Sequence, residues 1–273
     1  MNSGPRLLAR VWPLVVLLAA AIGCESSAAP RPETSGVTRR VSIAAAADLQ
    51  FALADVIREF EKTEPGMQIT ATYGSSGTFF AQLSNRAPFD LYFSADIAYP
   101  RKLVEAGHAD RETELLYAIG QLVVWVRQDS PLAVEKLGLR AVLEPAVQKI
   151  AIANPQHAPY GRAALAALEH EGLAIQVRDR LVRGENVAQA SQFVESGAAD
   201  VGLLALSLAL APPLKSKGRY ALIPQEAYPR IEQGCIVLNW AQDRDAAIRF
   251  QRFIAGKAGR EILARYGFLR PQE

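Results

Sequence analysis

Four times in this chain a short apolar run ends in small or hydroxyl-bearing residues and passes straight into a segment with helical periodicity, and this repeated junction constrains the fold more than any other feature. Residues 41–47 read as a buried strand ending at Asp48, after which Leu49, Leu53, Val56, Ile57 and Phe60 fall at helical spacing. Residues 68–73 alternate apolar and polar side chains, then Gly74-Ser75-Ser76-Gly77 leads to Phe79, Phe80 and Leu83. Residues 149–153 form the third strand, residues 154–161 a turn-rich loop in which Pro159 fixes the helix entry, and Ala164, Leu165 and Leu168 the helix. The fourth unit runs from residues 180–183 through Gly184-Glu185-Asn186 to Val187, Ala190, Phe193 and Val194. Alternating strands and helices imply an α/β fold with parallel strands, and in such sheets the strand-to-helix turns gather on one edge, where ligands bind.

A helix start carries unpaired backbone N–H groups and the positive end of the helix dipole, so it favours an anion. Ser75 and Ser76 add hydroxyl donors, and Gly74 and Gly77 let a ligand approach the backbone. The structural alternative is that the two serines only cap a surface helix. Four helix starts on one edge would surround a small anion without any side-chain cation. Charge-assisted hydrogen bonds contribute roughly 1.5–3 kcal/mol each, so several together reach about micromolar affinity or better.

The motifs AAAADL at residues 44–49, YGSSG at 73–77, FDLYFSAD at 89–96, ANP at 153–155, APYG at 158–161, ENV at 185–187 and ARYGF at 264–268 together resemble the molybdate-binding proteins of ABC transporters. The resemblance runs from about Val41 to Leu269 and implies a two-lobed type II periplasmic-binding-protein fold, each lobe a mostly parallel sheet flanked by helices, joined by two crossing segments. On that pattern residues 39–119 form the first part of lobe 1, 120–222 lobe 2, and 223–273 the return to lobe 1. Residues 122–126 and 220–224 would be the crossing strands, and closure about them would bury the ligand. Carried over by motif, the ligand positions are Ala47 and Asp48, Ser76 with its neighbour Ser75, Tyr160 and Val187, acting mainly through backbone amides. The resemblance implies capture of molybdate, and of tungstate beside it, and its delivery to a membrane permease with a cytoplasmic ATPase. No cofactor is implied, and a monomer is expected.

Two positions depart from the pattern. Some relatives place a tyrosine on the strand at residues 201–205, where this chain has Ala205 and offers the phenol of Tyr160 instead. Asp48 stands where many relatives carry Ser or another neutral group, and an ionised carboxylate repels a dianion. The expectation is that Asp48 turns away to cap its helix, leaving only its N–H for the ligand. The alternative is that it accepts a proton from an anion such as hydrogen phosphate, which would make the chain a binder of another tetrahedral oxyanion.

Arg6 and Arg10 precede an apolar run at residues 11–22, too short to span a membrane and ending in small residues, as in a secretory signal peptide. Ala21-Ile22-Gly23-Cys24 resembles a bacterial lipobox, which implies cleavage after residue 23, acylation of Cys24 and a lipid anchor. Residues 24–38, rich in Ser, Ala and Pro, would be the flexible tether. The protein is therefore expected outside the cytoplasm, held at a membrane.

A net charge of +2 with no polybasic stripe argues against nucleic acid as a partner. The three histidines have no ligand spacing, so no free metal cation is expected. Cys235 lies among Ile236, Val237 and Leu238 and reads as core. A secreted hydrolase using Ser75 or Ser76 is the weaker alternative, since the turn does not match a nucleophile elbow and no histidine lies in a partner motif. Asp90 and Asp96 read as loop caps and hinge contacts, and a regulator would need a helix-turn-helix before Val41, where the chain has a signal and linker.

Overall fold

The computed structural model describes residues 39–271. The expected signal segment, Cys24 and the tether lie outside the described residues. The chain begins with β1 (Arg39–Ala46), α1 (Gln50–Thr63), β2 (Met67–Gly74), α2 (Ser76–Ser84), β3 (Leu91–Ser94), α3 (Ala98–Glu105) and β4 (Leu115–Gly120). It continues with β5 (Leu122–Arg127), α4 (Val134–Leu137), β6 (Ile150–Ala153), α5 (Pro159–His170), α6 (Ala174–Val177), β7 (Leu181–Gly184), α7 (Val187–Glu195), β8 (Val201–Ala205), α8 (Leu206–Ala209), α9 (Pro212–Lys215) and β9 (Gly218–Leu222). It closes with β10 (Ile231–Val237), α10 (Arg244–Ala255) and α11 (Lys257–Arg265).

The strands form two five-stranded sheets, in the orders β2-β1-β3-β10-β4 and β7-β6-β8-β5-β9, one to each lobe. In the first, β1 is parallel to β2 and β3 while β10 is antiparallel to both neighbours, so every strand except β10 points the same way. The second repeats the arrangement with β5 as the reversed strand. The chain passes from the first sheet to the second between Gly120 and Leu122 and returns between Leu222 and Ile231. The parallel strands of both lobes thus end at the strand-to-helix turns noted in the sequence.

Burial explains why these segments are strands. β3, β6 and β8 are buried along their whole length, as strands covered by helices on both faces must be. In the first lobe, α1 turns Leu53, Val56 and Phe60 inward and α10 answers with Ala246, Ala247, Phe250 and Ile254. The rings of Phe60 and Phe250 meet edge to face at 5.2 Å, and Phe93 of β3 lies 6.1 Å from Phe250. The opposite face of that sheet packs Tyr92 and Ile236 against Phe79, Leu83 and Leu103.

Two local expectations change. The strand expected to run to residue 47 ends at Ala46, because Ala47–Leu49 forms a tight 3-10 turn leading into α1. The periodicity at residues 250–263 reads as one last helix, but it belongs to two, α10 and α11, divided at Gly256, whose backbone is extended. The second helix folds back closely enough that a Cβ at Gly259 would stand 2.4 Å from the Ile254 carbonyl oxygen.

Candidate functional site

Ala47, Asp48, Ser75, Ser76, Tyr160 and Val187 line one cavity, together with Ala46, Gly74, Ala95, Ala158, Pro159 and Asn186. About 200 Å³ of it, mouth included, is free of protein atoms. One wall belongs to the first lobe and the other to the second. The walls are built from helix starts. Ala47 and Asp48 open the 3-10 turn after β1, Ser76 is the first residue of α2, Tyr160 the second of α5 and Val187 the first of α7. Backbone N–H groups at these positions have no partner inside their own helix.

Each start is fixed by local chemistry. Pro159 sets the first turn of α5, and Gly161 lets that helix sit on the end of β6, since a Cβ there would lie 2.2 Å from the Ala153 carbonyl oxygen. Asn186 caps α7 by accepting from the Gln189 N–H at 3.0 Å. Ser75 occupies the N-cap position of α2, but its side chain does not cap. Its hydroxyl donates to the His157 carbonyl at 2.5 Å and lies 2.9 Å from His157 Nδ1. The Ser76 hydroxyl accepts from the Ala95 N–H at 2.9 Å, and Tyr92 donates to the Ser76 carbonyl.

The expectation that Asp48 turns away to cap its helix is overturned. Neither the 3-10 turn nor α1 has a side-chain cap. Asp48 is 1 % exposed, and its Oδ2 instead accepts from Gln233 Nε2 of β10. That amide also reaches the Tyr160 hydroxyl at 3.3 Å, and Gln233 Oε1 accepts from Tyr117 at 2.7 Å. Asp48 Oδ1 meets no donor among the described residues. Burial pushes the carboxyl up to about 6, partly offset by Gln233 and by the nearby Tyr160 hydroxyl. Burial, and then the Asp48 charge, hold the phenols of Tyr160 and Tyr117 well above their usual range, so both are neutral donors.

Gln233 is one functional residue that local sequence patterns do not single out. A glutamine inside Ile231-Glu232-Gln233-Gly234-Cys235-Ile236-Val237 is the available signal, because a buried amide needs partners on both ends. Ser207 is another such residue. On the turn after β8, where Ala205 offers no phenol, its hydroxyl donates to the Asp48 carbonyl oxygen at 2.7 Å.

Further bonds join the lobes around the mouth. The Gly77 N–H donates to the His157 carbonyl at 2.8 Å, and a Cβ on Gly77 would stand 2.7 Å from that oxygen, so only glycine permits the approach. Arg162 donates to Asp96 Oδ2 at 2.5 Å and to the Tyr99 hydroxyl at 3.2 Å, while Arg183 is exposed. Asp96 therefore bonds across the cleft as well as to the Ala98 N–H, whereas Asp90 ties β1 to the turn after β10 through Ser42 and Gln242.

The Ser75–His157 pair has the separation of a nucleophile and its base, but not the direction. Ser75 gives its proton to the His157 carbonyl, so Nδ1 must donate to Ser75 rather than accept from it. Among the described residues no cluster of His, Cys, Asp or Glu is placed to hold a metal ion. Cys235 is buried, and its thiol is pushed up to about 12 by that burial.

Known proteins share this architecture. The family model for the bacterial extracellular solute-binding protein matches residues 41–269. The molybdate-binding protein ModA of Azotobacter vinelandii is 32 % identical over 256 residues, 93 % of this chain and 96 % of that protein. ModA of Rhodobacter capsulatus is 34 % identical over 209 residues, 77 % of this chain and 79 % of that protein. The solved periplasmic molybdate-binding protein of Azotobacter vinelandii superposes with a TM-score of 0.79 at 31 % identity, covering 85 % of this chain and all of that one. Such proteins bind and hand on solutes and are not enzymes, which sets the hydrolase alternative aside. This chain belongs to the bacterial extracellular solute-binding protein family, beside the molybdate-binding proteins within it.

Proposed function

We propose that this protein captures molybdate, and tungstate with it, in the cavity between its lobes and delivers it to a membrane permease driven by a cytoplasmic ATPase. The observation that carries the reading is the convergence of helix starts at Ala47, Asp48, Ser76, Tyr160 and Val187 on one small cavity. Backbone N–H groups would bind the anion's oxygens, with the hydroxyls of Ser76 and Tyr160 beside it, while the Ser75 hydroxyl is spent on His157. Similarity to two molybdate-binding proteins, over 93 % of this chain for one and 77 % for the other, supports the choice of anion. Charge cannot separate molybdate from sulfate, so discrimination between them would draw on the size of the cavity, molybdate being the larger ion.

Residues 39–119 with 223–273, and residues 120–222, would act as the two halves of a clamp. The bonds from His157 and Arg162 across the mouth would hold the two halves together around the ion. Cleavage before Cys24 and its acylation would keep the clamp at the membrane, working as a monomer on a tether of residues 24–38.

Isothermal titration calorimetry of the purified protein against molybdate, tungstate, sulfate and phosphate at neutral pH tests the reading. Saturable 1:1 binding of molybdate and tungstate, with sulfate and phosphate silent, is the expected result. Phosphate alone, or no oxyanion at all, overturns it.

A further inference from the structure

The walls of the cavity supply donors for an anion, yet they also contain a buried carboxyl. Asp48 Oδ2 is taken by Gln233, and Oδ1 has no donor among the described residues. The groups packed around Asp48 include no cation: Gln233 from β10, Tyr117 from β4, Tyr160 from α5, Ser207 beside its carbonyl from α8, and Asn186 with Val187 from α7 across the cavity. Cys235 and Tyr228 lie behind the two phenols and are neutral. Arg162 of α5 is engaged by Asp96. A dianion and an ionised carboxylate would therefore share one small cavity with no side-chain cation among these groups to offset their repulsion.

Resting on the oxyanion reading, we propose that the site takes up its anion together with one proton, held between Asp48 Oδ1 and an oxygen of the anion. Molybdate carries no proton at pH 8, so the proton comes from solvent: it bonds to the carboxylate, and the resulting O–H donates to the anion. The Asp48 oxygen that meets no protein donor then becomes one more donor to the anion. Burial already raises the Asp48 carboxyl to about 6, and a dianion alongside raises it further. Affinity for molybdate then falls about tenfold for each pH unit above the point where the unloaded site gives up its proton. Asp48 is on this account a selectivity residue, rewarding anions whose oxygens accept a strong hydrogen bond.

Calorimetric titration of the purified protein with molybdate at pH 8, in Tris and in HEPES, counts the protons through the difference in the buffers' ionisation enthalpies. The expected result is uptake of about one proton per molybdate by the native protein and none by Asp48→Asn, whose affinity becomes independent of pH between 6 and 8. Molybdate binding by the native protein without proton uptake overturns the inference and leaves the oxyanion reading intact. Equal uptake by the native protein and the variant also overturns it, since another group would then hold the proton. Absence of molybdate binding removes both. Should the asparagine variant fail to fold, the proton count and the pH series on the native protein decide alone.

Discussion

The carboxyl at residue 48 costs the unloaded protein stability. Its value rises from the ordinary 3.8 to about 6 on folding, so the folded chain holds the proton more tightly than the unfolded one. The stability linked to that proton is complete below about pH 4 and is lost as pH climbs through about 6. Unloaded Asp48→Asn is therefore expected to unfold later than the native protein at pH 8, by roughly 2–3 kcal/mol, with the gap closing towards pH 4. Denaturant melts at the two pH values measure it. Gln233→Leu acts in the other direction, leaving Asp48 Oδ2 and the Tyr117 hydroxyl without their shared partner, and should cost about 1–3 kcal/mol at pH 8. Asp48 was legible as an anomaly because a carboxylate conflicts with an anion site. Its true partner was not, since Gln233 lies 185 residues further on and no local pattern joins them.

At the scale of elements, the strand-to-helix junctions could be read from the sequence because they rest on local signals: period-two and helical spacing, small residues at the turn, proline at the entry of α5 and asparagine at the cap of α7. The cap exemplifies how local order reaches the site. Asn186→Ala removes the bond to Gln189 and should destabilise the protein by about 1 kcal/mol while loosening the turn that presents Val187. The expected readout is a lower melting midpoint together with weaker molybdate binding. Helix α10 carries a larger share of the first lobe, so Phe250→Ala, which empties a site between Phe60 and Phe93, should cost about 3–5 kcal/mol in denaturant melts. What local spacing could not show was the division at Gly256, because the apolar periodicity continues across it. There the close approach of α11 to α10, a packing event, decides the backbone.

The whole molecule works through contacts between lobes that are separated widely along the chain. The tandem glycines and serines at residues 74–77 suggested an anion turn, but half of their chemistry goes to His157 on the other lobe, 82 residues away from Ser75. A side chain at residue 77 would wedge the mouth open, since its Cβ would overlap the His157 backbone. Gly77→Ala is expected to fold normally, to release molybdate at least tenfold faster, as the loss of about 1.4 kcal/mol from the closed state requires, and to show a larger radius of gyration with the ligand bound. Stopped-flow dissociation and small-angle scattering measure the two effects. The strand order has a further consequence, for how the chain comes to be folded. The second lobe is contiguous between Leu122 and Leu222, whereas β4 reaches the rest of its sheet only through β10, whose residues follow the entire second lobe. A chain emerging from its amino end can therefore complete the second lobe while the first still lacks its keystone strand. Because Gln233 rides on that strand, the pocket's buried polar network cannot form before the second lobe has been made, and a chain cut short before residue 231 would lack the amide that joins Asp48 to Tyr117.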